Sequence, residues 1–149
     1  MAYTTIDNPE LYFQCKTYTG NGSDSHAITF DNTDTSMQPD MVWIKSRSNS
    51  GYNHYLVDSL RGVTKALRPN LYNDEDTYSD AFKSFDSNGF TLDDDASNSE
   101  INQNTKTYVA WAWKAGTSFT NDASATSVGN TDSSGSASST AGFSIAKWV

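Results

Sequence analysis

Apolar and polar positions alternate with a period of two in several stretches of the chain, most sharply in Tyr108-Val109-Ala110-Trp111-Ala112-Trp113. Val109, Trp111 and Trp113 fall on one side of such a segment and Ala110 and Ala112 on the other, a spacing that fits a β-strand and no helix. Large rings on one face and methyl groups on the other predict an interior strand, with a deep core on one side and a closely packed layer on the other. Residues 11–18 alternate in the same way, with Leu11, Phe13 and Cys15 on one face and Tyr12, Gln14, Lys16 and Tyr18 on the other, followed by the turn Gly20-Asn21-Gly22. Residues 26–30 read as a second strand. Residues 41–45 read as a third, apolar on both faces as a strand in the middle of a layered structure is. Residues 55–58 are its hairpin partner, whereas residues 63–78 show no decisive period. Phe82, Phe85, Phe90 and Leu92 add core positions, with Ser87-Asn88-Gly89 as the turn before Phe90. Short strands separated by turn signals, without helical periodicity beyond a turn or two, predict an all-β fold, an antiparallel β-sandwich or jelly roll.

The pattern changes after Gly116. Residues 117–141 are rich in Ser, Thr, Ala, Gly and Asn with few apolar positions, the composition of a flexible linker or a loosely held surface excursion. The expected organisation is a sandwich over residues 1–116, this extension over 117–141, and a terminal strand over 142–149, where Phe143, Ile145 and Lys147 alternate with Ser144, Ala146 and Trp148. That strand either returns beside the first strand or opens a second unit, and in both cases its edge needs a partner.

The 149 residues suffice for one domain that buries roughly two thirds of its unfolded surface. With 18 acidic against 10 basic residues, the net charge of −8 repels a phosphate backbone, and the scattered cations offer no patch, so nucleic acid is not an expected partner. One cysteine excludes an internal disulfide, and no apolar run approaches the roughly 20 residues that span a bilayer, so membrane insertion is not expected. Residues 1–7 lack the basic and apolar regions of a signal peptide, which predicts synthesis in a cytoplasm and exit by a route such as lysis.

Four segments together carry a family resemblance: Cys15-Lys16-Thr17-Tyr18-Thr19-Gly20-Asn21-Gly22, Gln38-Pro39-Asp40-Met41-Val42-Trp43-Ile44-Lys45-Ser46-Arg47, Asp58-Ser59-Leu60-Arg61-Gly62-Val63-Thr64-Lys65 and Tyr108-Val109-Ala110-Trp111-Ala112-Trp113-Lys114-Ala115-Gly116. In order and spacing over residues 10–116 they resemble a family of tail-fibre-type virion proteins of marine bacteriophages, whose members are similar to concanavalin A-like jelly rolls. The resemblance implies a virion location and a structural role in a tail fibre or similar surface appendage. It further implies a homo-oligomer whose partners are other copies of itself, neighbouring virion proteins and host-surface glycans. Many members continue past a Ser/Thr-rich joint into a second unit that opens with a Gly-Phe-Ser-Ile segment, as at Gly142-Phe143-Ser144-Ile145, which favours the second reading of the C-terminal strand. The family brings no catalytic residues to these positions.

Candidate chemistry is sparse. The loop Ser48-Asn49-Ser50-Gly51-Tyr52-Asn53, with Tyr72, Asn73 and Tyr78, has the mixture of Tyr, Asn, Ser and Gly that recognition loops use, so Tyr52, Asn53, Tyr72, Asn73 and Tyr78 are the expected ligand-binding residues, with a sugar stacked on the rings. A stand-alone lectin is the alternative on the same residues. A glycan hydrolase needs two facing carboxylates, but Glu10, Glu75 and Glu100 are isolated along the chain, and no enzyme is expected. His26 and His54 could join Asp58 and a serine in a triad. His26, however, shares parity with Ile28 and Phe30 and is expected at a core margin, and His54 begins a strand. Cys15, in phase with Leu11 and Phe13, is expected to be a buried small hydrophobe. Asp74-Glu75-Asp76 and Asp93-Asp94-Asp95 are acidic enough for calcium but match no loop pattern and read as solvated turns. No cofactor or metal is expected.

Overall fold

In a computed structural model that describes residues 6–32, 34–97 and 100–148, the predicted alternations fold as strands. They are β1 (Phe13–Thr19), β2 (His26–Thr29), β3 (Met41–Ser46), β4 (Tyr55–Asp58), β5 (Lys65–Ala66), β6 (Asp76–Thr77), β7 (Phe82–Asp86), β8 (Gly89–Leu92), β9 (Thr107–Trp113), β10 (Thr117–Asn121), β11 (Ser133–Ser138) and β12 (Phe143–Trp148), with a 3-10 turn at Pro9–Leu11 and one short α-helix, α1 (Ala123–Thr126), among the described residues. One sheet runs in the order β1-β9-β3-β4 and a second in the order β2-β8-β7. A third follows β10-β11-β12, and β5 and β6 form a small ribbon. Every pairing is antiparallel, as the sequence predicts. Residues 1–5, which include most of the segment read for a signal, and Val149, the last residue of the expected terminal strand, lie outside the described residues.

The first two sheets enclose the core. Tyr18, Val42, Ile44, Tyr55, Val57, Tyr108, Ala110 and Ala112 point inward from one, and Ile28, Phe82, Phe90 and Leu92 from the other. Tyr18 stacks on Tyr108 at 5.1 Å between ring centroids and meets Phe90 edge-on at 6.2 Å, so aromatic contacts join the two sheets. The β7–β8 hairpin turns at Ser87-Asn88 and enters β8 at Gly89 with φ 138°, where an added Cβ would lie 2.0 Å from the Ile28 carbonyl oxygen, so only glycine fits.

Strand β9 is interior, between β1 and β3, but its deep core lies against the alanines. Ala110 and Ala112 are fully buried, while Val109, Trp111 and Trp113 occupy the outer face of the sheet and are only half-buried. The rings of Tyr18, Phe82, Phe90 and Tyr108 already fill the interior, and small residues opposite them let the second sheet approach. The same parity applies to β3, where Val42 and Ile44 face the core and Met41, Trp43 and Lys45 face outward. Its second apolar face is therefore the outer surface of the sandwich rather than a contact with another buried layer. On β1 it places Cys15 outside, exposed, which corrects its expected burial, because Tyr18 takes the inward side of that strand.

The Ser/Thr-rich segment 117–141, expected as a linker or loose excursion, is instead strand for much of its length. Beta-branched Thr117 and Thr120 suit the pleat, and Phe119 lies across from Gly135, whose missing side chain makes room for the ring: a Cβ there would sit 2.5 Å from it. Strand β12 pairs with β11 and not with β1. It returns over the outer face of the first sheet, where Phe143 stacks on Trp113 at 6.1 Å and Lys147 Nζ donates to the Leu60 carbonyl at 3.1 Å.

Candidate functional site

The outward half of the β9 and β3 alternation builds the most distinctive surface of the molecule. Trp43 and Trp111 are directly opposed in the ladder, with ring centroids 6.0 Å apart and nearly perpendicular planes. With Trp113 and His54 they line an open depression of about 420 Å³ whose walls are almost wholly apolar. Half-exposed indoles fixed by a regular ladder lose little freedom when a flat partner stacks on them, which is what makes aromatic platforms effective binding surfaces.

His54 gives this platform a polar edge. Trp43 Nε1–H donates to His54 Nδ1 at 3.2 Å, so the neutral ring carries its proton on Nε2. Partial burial, with the Lys45 charge nearby, lowers the His54 pKa below its ordinary 6.5 and favours that neutral form. The indole N–H groups of Trp111 and Trp113 have no hydrogen-bond partner among the described residues.

A polar network that reaches the His54 backbone takes in two of the five residues expected to bind ligand. Arg68 is buried and donates through Nε to Asp76 at 2.7 Å, through Nη1 to Glu100 at 2.5 Å and through Nη2 to the Tyr78 hydroxyl. Burial works against its charge, but the bonds to Tyr78, Glu100 and Asp76 outweigh burial and hold its pKa above the usual value. Glu100 accepts from Asn53 Nδ2 at 3.0 Å, Asn70 Nδ2 donates to Asn53 Oδ1 at 3.0 Å, and Asn70 Oδ1 accepts from the His54 backbone N–H at 2.9 Å. The chain from Arg68 to His54 thus orients one wall of the depression. Burial of Asp95 pushes its carboxyl up to about 6, although the N–H groups of Ile101 and Asn102 donate to it at 2.7 and 3.1 Å.

Asn53 and Tyr78 therefore come together through Arg68 and Glu100, but as supports. Tyr52 packs half-buried against the core. Tyr72 is 100% exposed and Asn73 is exposed beside it, and neither lines the depression. The tryptophans were visible in the sequence as one stripe, and nothing in their spacing marked that stripe as the outer one.

The remaining candidates have structural partners. Glu75 pairs with Arg61 at 3.3 Å and Lys65 at 3.6 Å, and Asp76 with Arg68. Among the described residues no cluster of His, Cys, Asp and Glu could hold a metal ion. His26 Nδ1 shares a hydrogen bond with Asn102 Oδ1 at 2.7 Å at the core margin, as its parity predicts. Trp43, rather than Asp58, holds His54 Nδ1, and Asp58 is bonded to Arg61, so the triad is not assembled. No helix among the described residues is long and apolar enough to cross a membrane.

A family model described as a domain of unknown function (DUF7483) matches residues 8–149, taking in both the sandwich and the C-terminal sheet. No curated protein and no solved structure matches the chain.

Proposed function

The chain belongs to the DUF7483 family, and we propose that it is a structural module of a bacteriophage virion, in a tail fibre or similar surface appendage, that contacts host-surface glycans through its tryptophan depression. The observation that carries the binding half is the depression formed by Trp43, Trp111, Trp113 and His54 on a rigid sheet, with apolar ring faces bordered by the polar edge of His54. A pyranose ring presents the complementary pair, a face of C–H groups and a rim of hydroxyl acceptors. The virion half is supported by the four sequence segments that resemble tail-fibre-type proteins. A stand-alone lectin would use the same depression and differ only in assembly, which light scattering across a concentration series distinguishes. Binding is favoured over turnover because no carboxylate lines the depression and Glu75 and Glu100 are engaged by cations elsewhere.

The test is a glycan array followed by calorimetry on the purified chain. Trp111→Ala is expected to weaken glycan binding about 5- to 30-fold, since it removes a stacking surface worth of order 1–2 kcal/mol, with the fold checked by circular dichroism. Loss in Tyr72→Ala with Trp111→Ala intact would move the site to the tyrosine loop, and absence of binding to any glycan would remove the glycan half of the reading.

A further inference from the structure

Resting on the glycan reading above, we propose that the ligand is an extended oligosaccharide held in a cleft that crosses the strands of the first sheet, from the tryptophan depression to a second site under β12. The second depression, about 440 Å³, lies beside the first and is bounded by Met41, Leu56, Leu67, Arg61 and the strand β12. The ladder joins the two: in the cross-strand pair Trp113–Met41, and again in Trp43–Leu56, one residue lines each depression. Leu67 bridges to Leu56 and prolongs the row Trp111, Trp43, Leu56 by one more position. Neighbouring strands are about 4.8 Å apart, so successive members of that row repeat at close to the length of one sugar ring.

Strand β12 forms the side wall of this row. Its Phe143 stacks on Trp113 at the near end, and Trp148, 72% exposed, stands at the other end of the strand and lines the second depression. The polar groups along the way stand at the two ends: the His54 edge beside the tryptophans, and at the other end Lys147 with the Arg61–Asp58 ion pair at 2.6 Å, both members of which line the second depression. A compact ligand, by contrast, would fill the tryptophan depression and gain nothing from the row beyond it. The far end offers both a donor side and an acceptor side, Lys147 with the paired Arg61 and Asp58, which suits hydroxyl groups, and the repeat of the row at close to one sugar ring favours an oligosaccharide as the occupant.

The inference is tested by calorimetry on the full chain with gluco-, manno- and galacto-configured ladders from monosaccharide to hexasaccharide. Affinity for the recognised series is expected to rise at least about tenfold from disaccharide to hexasaccharide. Trp148→Ala and, independently, Leu67→Ser are expected to remove most of that gain and to change disaccharide affinity less than about twofold. Equal affinity at every length, or equal loss for short and long ligands in both variants, would overturn the extended cleft while leaving a glycan site at the tryptophans intact. Failure of every ladder to bind would overturn both.

Discussion

At the scale of single residues, His54 has the most exacting chemistry. Its Nδ1 accepts from Trp43 and therefore must be unprotonated, and burial together with the Lys45 charge keeps the ring neutral below the ordinary histidine range. Protonation would set an N–H against an N–H and release the Trp43 indole from its position. Since the folded pKa lies below 6.5, the stability this arrangement contributes is present above that pH and is lost as pH falls through the lowered folded value. Intrinsic tryptophan fluorescence of the native protein is expected to show a titration with its midpoint below 6.5, absent in His54→Phe, and glycan affinity should fall with the same midpoint. A midpoint at or above that value would mean that the Trp43–His54 bond does not control the ring.

At the scale of elements, the β5–β6 ribbon and the loop before β4 are tied together by one guanidinium. Arg68 follows β5, its partner Asp76 opens β6, and Glu100 carries the link on to Asn53, Asn70 and the His54 backbone. Arg68→Met leaves two carboxylates without their cation, one of them buried, and is expected to cost about 3–5 kcal/mol. Denaturant titration measures that loss, and Arg68→Met combined with Glu100→Gln should recover part of it. Strictly additive losses would show that the pair is not coupled. The strands themselves were legible in the sequence. The alternations at Phe13, Met41, Tyr55, Phe90 and Trp111 each fall on an observed strand, because a period of two has no other stable expression. Which face turns inward was not legible, since parity groups residues by side without saying what lies opposite. The tryptophan stripe went outward because the rings of Tyr18, Phe82 and Phe90 on other strands, with Tyr108 on β9 itself, already occupied the core, a fact of pairing that only the assembled sheets contain. Asn53 and Tyr78 are expected from the sequence as ligand-binding residues, whereas the cation that links them, Arg68, is not singled out, because its partners come from positions as much as 32 residues away.

At the scale of the whole molecule, the C-terminal sheet decides how much of the outer face water can reach. Residues 117–141 read as linker because Ser, Thr and Gly make poor cores. In a sheet with one face solvated, however, those residues need only alternate, and the Phe119–Gly135 pair supplies the packing that composition hides. Strand β12 then covers part of Met41, Leu56 and Trp113, so the third sheet and the sandwich share one outer surface, and the family match extends across both. Truncation after Gly116 leaves every strand of the sandwich in place but uncovers that apolar face, which as an exposed patch favours association. The truncated chain is expected to keep its β-sheet circular dichroism, to lose the length-dependent part of glycan affinity, and to scatter light as a concentration-dependent aggregate. Ordered oligomers formed by the full chain alone would assign assembly to the third sheet, in keeping with a virion appendage. If both chains are stable monomers and the truncated one retains its preference for long glycans, the third sheet has no part in the cleft and the wall formed by β12 is incidental.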